Sequence, residues 1–344
     1  MRKILFRMLL MCCVPASAAA QPLPDAAWLD SVLDAAGQRP FNGVALLRSG
    51  GAPPVLRVRG YADPLRLRPM PAQQHFVIGS VSKQITAVLI LRLADAGLLD
   101  LHAPARRCDP ALPAWADSVT AHQLLTHTAG VQGYGQPLAF PPGSRFAYSG
   151  LGYEVLGRMA EQAGGRSYAR QAEDLFRICG MRRSAYPSRA VRRRVRGYVR
   201  QADGTPVREP VPASPAYVPA GLLVSTAGDL LRWNEALHGG SLLSRSSYQL
   251  MTQAHAARGH FLWGEVGYGY GIQRLGGEPP AELGHSGYVP GFITLNAYYP
   301  ASQTSLILLE NLDWADEALV MAFSEERRIL GALRARLGMP PAAE

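Results

Sequence analysis

Apolar and polar positions alternate along this chain with two periods, and the periods sort by location. Residues 25–37 carry apolar side chains at the spacing of one helix face, and Gly37 predicts where that helix ends. Residues 41–48 and 55–61 are rich in β-formers and are separated by Gly50-Gly51-Ala52-Pro53-Pro54, which predicts a hairpin. A short apolar approach, Phe76-Val77-Ile78-Gly79, leads into a long helix predicted over 81–99 and closed by Gly97. Residues 100–254 read as helical fragments, among them 121–125, 152–163 and 168–178, between Pro- and Gly-rich loops. Strands return at 268–275, 291–299 and 304–311, before a final helix predicted over 316–337.

Strands at both ends with helices between them predict an α+β fold. One antiparallel sheet is built from the N- and C-terminal segments, is flanked by helices, and carries an inserted, mainly helical domain. The sheet domain is placed at 21–79 and 255–344 and the helical domain at 80–254, with a ligand-sized cleft expected between them. The chain has 344 residues, 48% of them hydrophobic and 18% charged, which suits a folded protein with a sizeable core and excludes a disordered one.

The first twenty residues change the picture of where the protein works. Arg2, Lys3 and Arg7 form a basic region, residues 4–14 supply a short apolar core, and Ala18-Ala19-Ala20 offers a cleavage site. Residues 1–20 therefore read as a signal peptide, too short to be an integral membrane span. Soluble export to a bacterial periplasm is expected, rather than lipid anchoring at Cys12 or Cys13. Removing this segment takes away three cations and lowers the net charge from +9 to +6 (9 − 3), only mildly basic. Cys108 and Cys179 remain, and in an oxidising compartment they either pair or stay free. From Arg182 to Arg200 there are eight arginines without regular aromatic interleaving, read as a solvated surface loop rather than a nucleic-acid contact.

Against some thirty arginines, the chain beyond residue 20 contains one lysine, Lys83, three residues after Ser80. Guanidinium stays protonated at physiological pH, whereas a buried ammonium gives up its proton and serves as a base. Ser-x-x-Lys places hydroxyl and amine on one helix face a turn apart, which points to a serine nucleophile activated by Lys83. Ser80 also stands at a helix start, where its N–H is suited to steady an oxyanion. In Phe146-Ala147-Tyr148-Ser149-Gly150, Tyr148 is either a half-buried packing residue or a proton carrier whose pKa a neighbouring ammonium lowers. In Gly284-His285-Ser286-Gly287-Tyr288, His285 and Ser286 offer donors to a substrate carboxylate or carbonyl. There Tyr288 offers a second oxyanion N–H and Gly287 permits close approach; the plainer alternative is a Gly-rich turn before a strand.

Together these three segments resemble those of the serine β-lactamase/penicillin-binding superfamily, closest to its class C β-lactamase-like branch of D-Ala-D-Ala carboxypeptidases and esterases. Leu124-Leu125-Thr126-His127-Thr128-Ala129-Gly130 and Pro219-Ala220-Gly221-Leu222-Leu223-Val224-Ser225-Thr226 extend the likeness, in the family's order, over roughly residues 40–312. The resemblance implies that Ser80 is acylated, that Lys83 and Tyr148 move its proton, and that the Ser80 and Tyr288 N–H groups form the oxyanion hole. It implies substrate contacts at His285, Ser286, Gly287 and Gly150, a small-molecule or peptidoglycan-derived acyl substrate, and no metal or organic cofactor. Two departures matter. Gly150 stands where the family usually has Asn, and His285 where true β-lactamases have Lys. Both tilt the expectation toward ester or D-peptide hydrolysis and away from a dedicated β-lactamase. A sensor that is acylated without turnover and an acyltransferase remain alternatives.

No Gly-x-Ser-x-Gly elbow, zinc-spaced Cys/His cluster or nucleotide-binding glycine loop occurs.

Overall fold

The structure, a computed structural model, describes residues 23–187, 194–279, 281–315 and 319–339. The signal-like segment lies outside the described residues. Eight strands form the central antiparallel sheet: β1 (Gly43–Arg48), β2 (Val55–Arg59), β3 (Ala256–His260), β4 (Gly264–Tyr268), β5 (Gln273–Leu275), β6 (Glu282–Val289), β7 (Phe292–Tyr299) and β8 (Thr304–Glu310). Their order is β2-β1-β8-β7-β6-β5-β4-β3, so the N-terminal hairpin is stitched to a C-terminal meander through β8. Register runs straight across the middle: Ala45 lies opposite Leu308, Leu308 opposite Leu295, and Leu295 opposite Ser286.

Helices surround or extend this sheet, among them α1 (Ala26–Asp34), α2 (Ser82–Asp95), α3 (Ala121–Leu125), α4 (Gly150–Gly164), α5 (Tyr168–Ile178), α6 (Val218–Gly221), α7 (Ala227–His238), α8 (Arg245–Thr252) and α9 (Ser324–Arg336). Strands β6 to β8 are buried along nearly their whole length, because both sheet faces are covered. One face, with Leu295 and Leu308, packs on Leu29 and Leu33 of α1 and Ile329 and Leu333 of α9. The other, with Val44, Leu46, Ile307 and Leu309, joins the larger core around α2, α4 and α7. Apolar side chains thus alternate between two dry interfaces instead of between core and water.

The α+β reading and the sheet built from both chain ends match the structure; several element boundaries do not. The long helix is shorter: a 3-10 turn at Gly79–Val81 leads into α2, which ends at Asp95 before Gly97 takes φ +71°. The strand expected over 268–275 is broken, because Gly271 at φ +66° turns the chain between β4 and β5. Strand β3 was not anticipated at all. The Gly-His-Ser-Gly run, read as an approach to a strand or a turn, is itself inside β6. Its flanking partners β5 and β7 override the weak strand propensity of two glycines. Helix α9 starts at Ser324 rather than 316, and residues 316–318 lie outside the described residues. In the arginine-rich stretch, residues 188–193 lie outside the described residues, whereas Gly197–Arg200 is a strand paired in parallel with Leu312–Trp314. Cys108 and Cys179 are free thiols, and Cys108 Sγ donates to the Met159 carbonyl at 3.4 Å.

Buried ions tie the two chain ends together. Arg39, between α1 and β1, reaches Glu310 at the end of β8 at 2.6 Å and Glu326 of α9 at 2.8 Å, all three side chains fully buried. Burial and the neighbouring Glu310 push the Glu326 carboxyl well above the ordinary range, so Arg39–Glu310 is the pair that carries charge. Arg39→Met strands that carboxylate, and a loss of about 3–5 kcal/mol is expected in urea unfolding at neutral pH. A loss below about 1 kcal/mol would show that the cluster is not holding the ends.

Candidate active site

Ser80 sits in the 3-10 turn that feeds α2, and Lys83 lies one turn further on. The Lys83 Nζ donates to Ser80 Oγ at 3.0 Å and to the Ala220 carbonyl at 2.6 Å. The same face of α2 grips the rest of that segment: Thr86 Oγ1 donates to the Pro219 carbonyl at 2.7 Å, and Ser82 Oγ accepts from Leu223 N–H at 3.2 Å. Lys83 is fully buried, with no carboxylate among its described partners. Burial, aided by the charge of Arg258, lowers its pKa from 10.5 to about 8. Roughly a tenth of this amine is then neutral at pH 7, enough to act as a base.

Tyr148 lies just before α4, whose first turn Ser149 caps by accepting from Gly152 N–H at 3.2 Å. Its ring centroid lies 4.9 Å from the Lys83 Nζ, and although part of the residue is exposed, its hydroxyl is turned inward beside Ser80. The expected lowering of its pKa does not occur. Burial pushes the phenol up to about 12, because the ammonium meets the ring and not the oxygen. Tyr148 is therefore a neutral phenol at the nucleophile, able to donate.

The third segment meets the first through backbone alone. A Cβ on Gly287 would lie 2.2 Å from the Ile78 carbonyl oxygen, and one on Gly79 would lie 2.5 Å from Tyr288 N. Gly79 also holds φ +53°, which side chains rarely adopt. Only glycine at both positions lets β6 approach the Ser80 turn this closely, bringing the Tyr288 amide beside Ser80. Two N–H groups held so are the arrangement that stabilises a developing oxyanion.

His285 is placed differently from a substrate donor. It is buried, and both ring nitrogens are used: Nδ1 faces the Ser286 carbonyl at 2.5 Å and Nε2 faces Tyr268 Oη at 3.0 Å. Burial first, then the charges of Lys83 and Arg258, lowers its pKa to about 3, so the ring is neutral. A carbonyl only accepts, so Nδ1 carries the proton and Nε2 accepts from the Tyr268 hydroxyl. That hydroxyl in turn accepts from His127 Nε2 at 3.1 Å, and His127 Nδ1 accepts from Ser149 N–H at 3.1 Å. One directed chain therefore runs from the residue after Tyr148, through His127 and Tyr268, to β6. Ser286 is also internal: His260 Nδ1 accepts from Leu262 N–H at 3.1 Å, which leaves His260 Nε2 to donate to Ser286 Oγ at 3.2 Å. Gly150 opens α4 beside the ring of Tyr217.

Four residues escaped the sequence. His127 stood in a segment read only for its likeness to a family pattern. Tyr268, Tyr217 and Arg258 carried no local signal, since fold alone brings them to the site. The Arg258 guanidinium lies 5.0 Å from the Tyr148 ring and 5.4 Å from that of Phe146, and among the described residues it has no ion-pair partner. No group of three or more His, Cys, Asp or Glu side chains able to hold a metal occurs among the described residues.

The Beta-lactamase family pattern matches residues 29–323, a span that includes every residue of this site. The chain is 26% identical over 325 residues to Penicillin-binding protein 4* of Bacillus subtilis, covering 82% of this chain and 71% of that one. It is 34% identical over 210 residues to Esterase EstB of Burkholderia gladioli, covering 48% and 53%. Among solved structures, the D-amino acid amidase of Ochrobactrum anthropi SV3 superposes with a TM-score of 0.75 at 23% identity, covering 89% of this chain and 97% of that one, a likeness of fold.

The close backbone approach has a direct test. Gly287→Ala is expected to lower kcat/KM on a reactive ester by about 100-fold, since it pushes the Tyr288 amide away from Ser80. Thermal melting alongside checks that the variant is folded; an active Gly287→Ala enzyme would show that this amide is not needed.

Proposed function

This chain belongs to the Beta-lactamase family of serine hydrolases, and from the geometry of its site we propose that it is an exported enzyme that forms a covalent acyl-enzyme on Ser80. The observation that carries the reading is the desolvated Lys83 amine 3.0 Å from Ser80 Oγ. Neutral Lys83 takes the Ser80 proton as Oγ bonds to the substrate's carbonyl carbon. Negative charge gathers on the carbonyl oxygen between the Ser80 and Tyr288 N–H groups. Collapse breaks the bond to the leaving group, which takes the proton of the neutral Tyr148 phenol, and the proton that Lys83 took from Ser80 then replaces it on Tyr148, so both groups end acylation as they began it. Water then attacks the acyl carbon by the reverse relay and frees Ser80.

Two observations support a substrate class. The neutral, internally bonded His285 has no charge to offer a carboxylate, whereas Arg258 lies over Tyr148 with no ion-pair partner among the described residues. An uncompensated, partly buried guanidinium favours an anionic partner in bidentate geometry. We therefore infer an ester or a D-amino-acid peptide or amide bearing a carboxylate near the scissile carbonyl. The relatives named for penicillin binding and for esterase activity support both arms of that reading. Periplasmic location rests on the signal-like first twenty residues.

Intact-mass analysis during turnover of a p-nitrophenyl ester tests the mechanism. Ser80→Ala is expected to lose both adduct and product, and Lys83→Arg to lose at least about 1,000-fold in kcat/KM, because guanidinium keeps the charge but cannot accept the proton. In the wild type, kcat/KM is expected to rise about tenfold per pH unit below the Lys83 pKa and level off above pH 8. Near-wild-type turnover by Lys83→Arg would remove the general-base role, and a stoichiometric Ser80 adduct without turnover would favour a sensor.

The substrate class has its own test. Arg258→Gln is expected to cost about 10- to 100-fold in kcat/KM on a carboxylate-bearing ester and much less on its neutral methyl counterpart. Equal losses on the two esters would contradict the anionic substrate.

A further inference from the structure

Tyr148 ends a largely exposed loop, yet one buried residue holds it on three sides. The His127 carbonyl accepts from Ala147 N–H at 2.8 Å, and His127 Nδ1 accepts from Ser149 N–H at 3.1 Å. Between those two bonds the imidazole lies against the Tyr148 ring, with centroids 4.2 Å apart. Its far nitrogen, Nε2, meets Tyr268 Oη at 3.1 Å, so the imidazole is pinned at both ends. The backbone of His127 is as unusual as its contacts. Where α3 ends, His127 N–H donates to the Leu124 carbonyl at 3.3 Å and Thr128 N–H to the Gln123 carbonyl at 2.9 Å. That crossed pair closes a helix through one residue in the left-handed region, a place usually taken by glycine. Here it is histidine, at φ +58°. Glycine would close α3 with less strain, so the helix end does not account for an imidazole; the contacts to the Tyr148 segment do.

We propose that His127 is the positioning residue of the proton donor: it fixes the Tyr148 phenol beside Ser80 by holding the amides on either side of it and packing on its ring. The role rests on the acyl-enzyme reading above, in which the leaving group takes the Tyr148 proton. A phenol on an untethered loop meets the leaving-group oxygen only part of the time, and a misplacement of about 1 Å costs on the order of 100-fold in rate. Lys83 and Arg258 also stand over the ring, 4.9 and 5.0 Å from its centroid, but His127 holds the backbone as well. Burial keeps the His127 imidazole neutral, as the arrangement requires, since a protonated Nδ1 would be a donor facing the Ser149 N–H.

The test reads the leaving group, which a merely structural role would not sense. Ethyl and p-nitrophenyl esters of one acid differ in their need for a proton, since ethoxide leaves only when protonated and p-nitrophenolate leaves without one. His127→Gln keeps a polar group near the place of Nε2 but removes the acceptor for Ser149 N–H. It is expected to lose about 100-fold in kcat/KM on the ethyl ester and less than about tenfold on the p-nitrophenyl ester, as is Tyr148→Phe. His127→Asn puts an acceptor back near the place of Nδ1 and tolerates the left-handed backbone, and is expected to regain at least about tenfold on the ethyl ester. In a Tyr148→Phe background, His127→Gln is expected to add no more than about threefold. Equal losses on the two esters, no gain from Asn, or losses that multiply in the double variant would overturn the proposal, with melting curves checking that each variant is folded. Failure of the p-nitrophenyl ester to acylate Ser80 in the wild type would instead sink the underlying reading, so the two failures are told apart.

Discussion

Lys83 rides into the interior on α2, a helix buried on nearly every side, and the desolvation of its ammonium is the constraint around which the site is arranged. A charge in that position is unfavourable for folding and favourable for proton transfer. The protein leaves it uncompensated: the partners are a hydroxyl and a carbonyl, the nearby rings are neutral, and the closest cation raises the pressure to deprotonate. A carboxylate here would have made a comfortable ion pair and a useless base. Hydrophobic packing on both faces of the sheet is what makes such a site affordable.

The same economy of charge extends outward. The chain from Ser149 through His127 and Tyr268 to His285 uses neutral groups only, each donating once and accepting once. Its directionality fixes both imidazole tautomers and braces the helical segments against β6. Since β6 also supplies Tyr288 N–H through the glycine-to-glycine contact with the Ser80 turn, the chain and that contact together hold the oxyanion donors in register with the nucleophile. His285, which a substrate-binding reading would expose, works here as a structural link.

Much of this was legible in the sequence, and what was not has physical reasons. The apolar runs at 41–48 and 304–311 gave away the sheet, and a solitary lysine three residues after a serine marked the candidate base. β6 was obscured because Gly284 and Gly287 lower its strand propensity, while its function, close backbone approach, requires Gly287. The direction of the Tyr148 shift depends on whether Lys83 meets the ring or the oxygen, which spacing cannot reveal. Arg258, Tyr268 and Tyr217 come from segments far from the nucleophile and reach it only through the fold, so no local pattern marks them.

The central claim is that Lys83 is a depressed, desolvated amine poised to deprotonate Ser80. With ε-13C-lysine in the protein, the resonance that vanishes in Lys83→Arg is expected to titrate near pH 8. A Lys83 resonance titrating at the ordinary 10.5 would contradict the account, because an amine so basic has no proton vacancy to offer the serine at neutral pH.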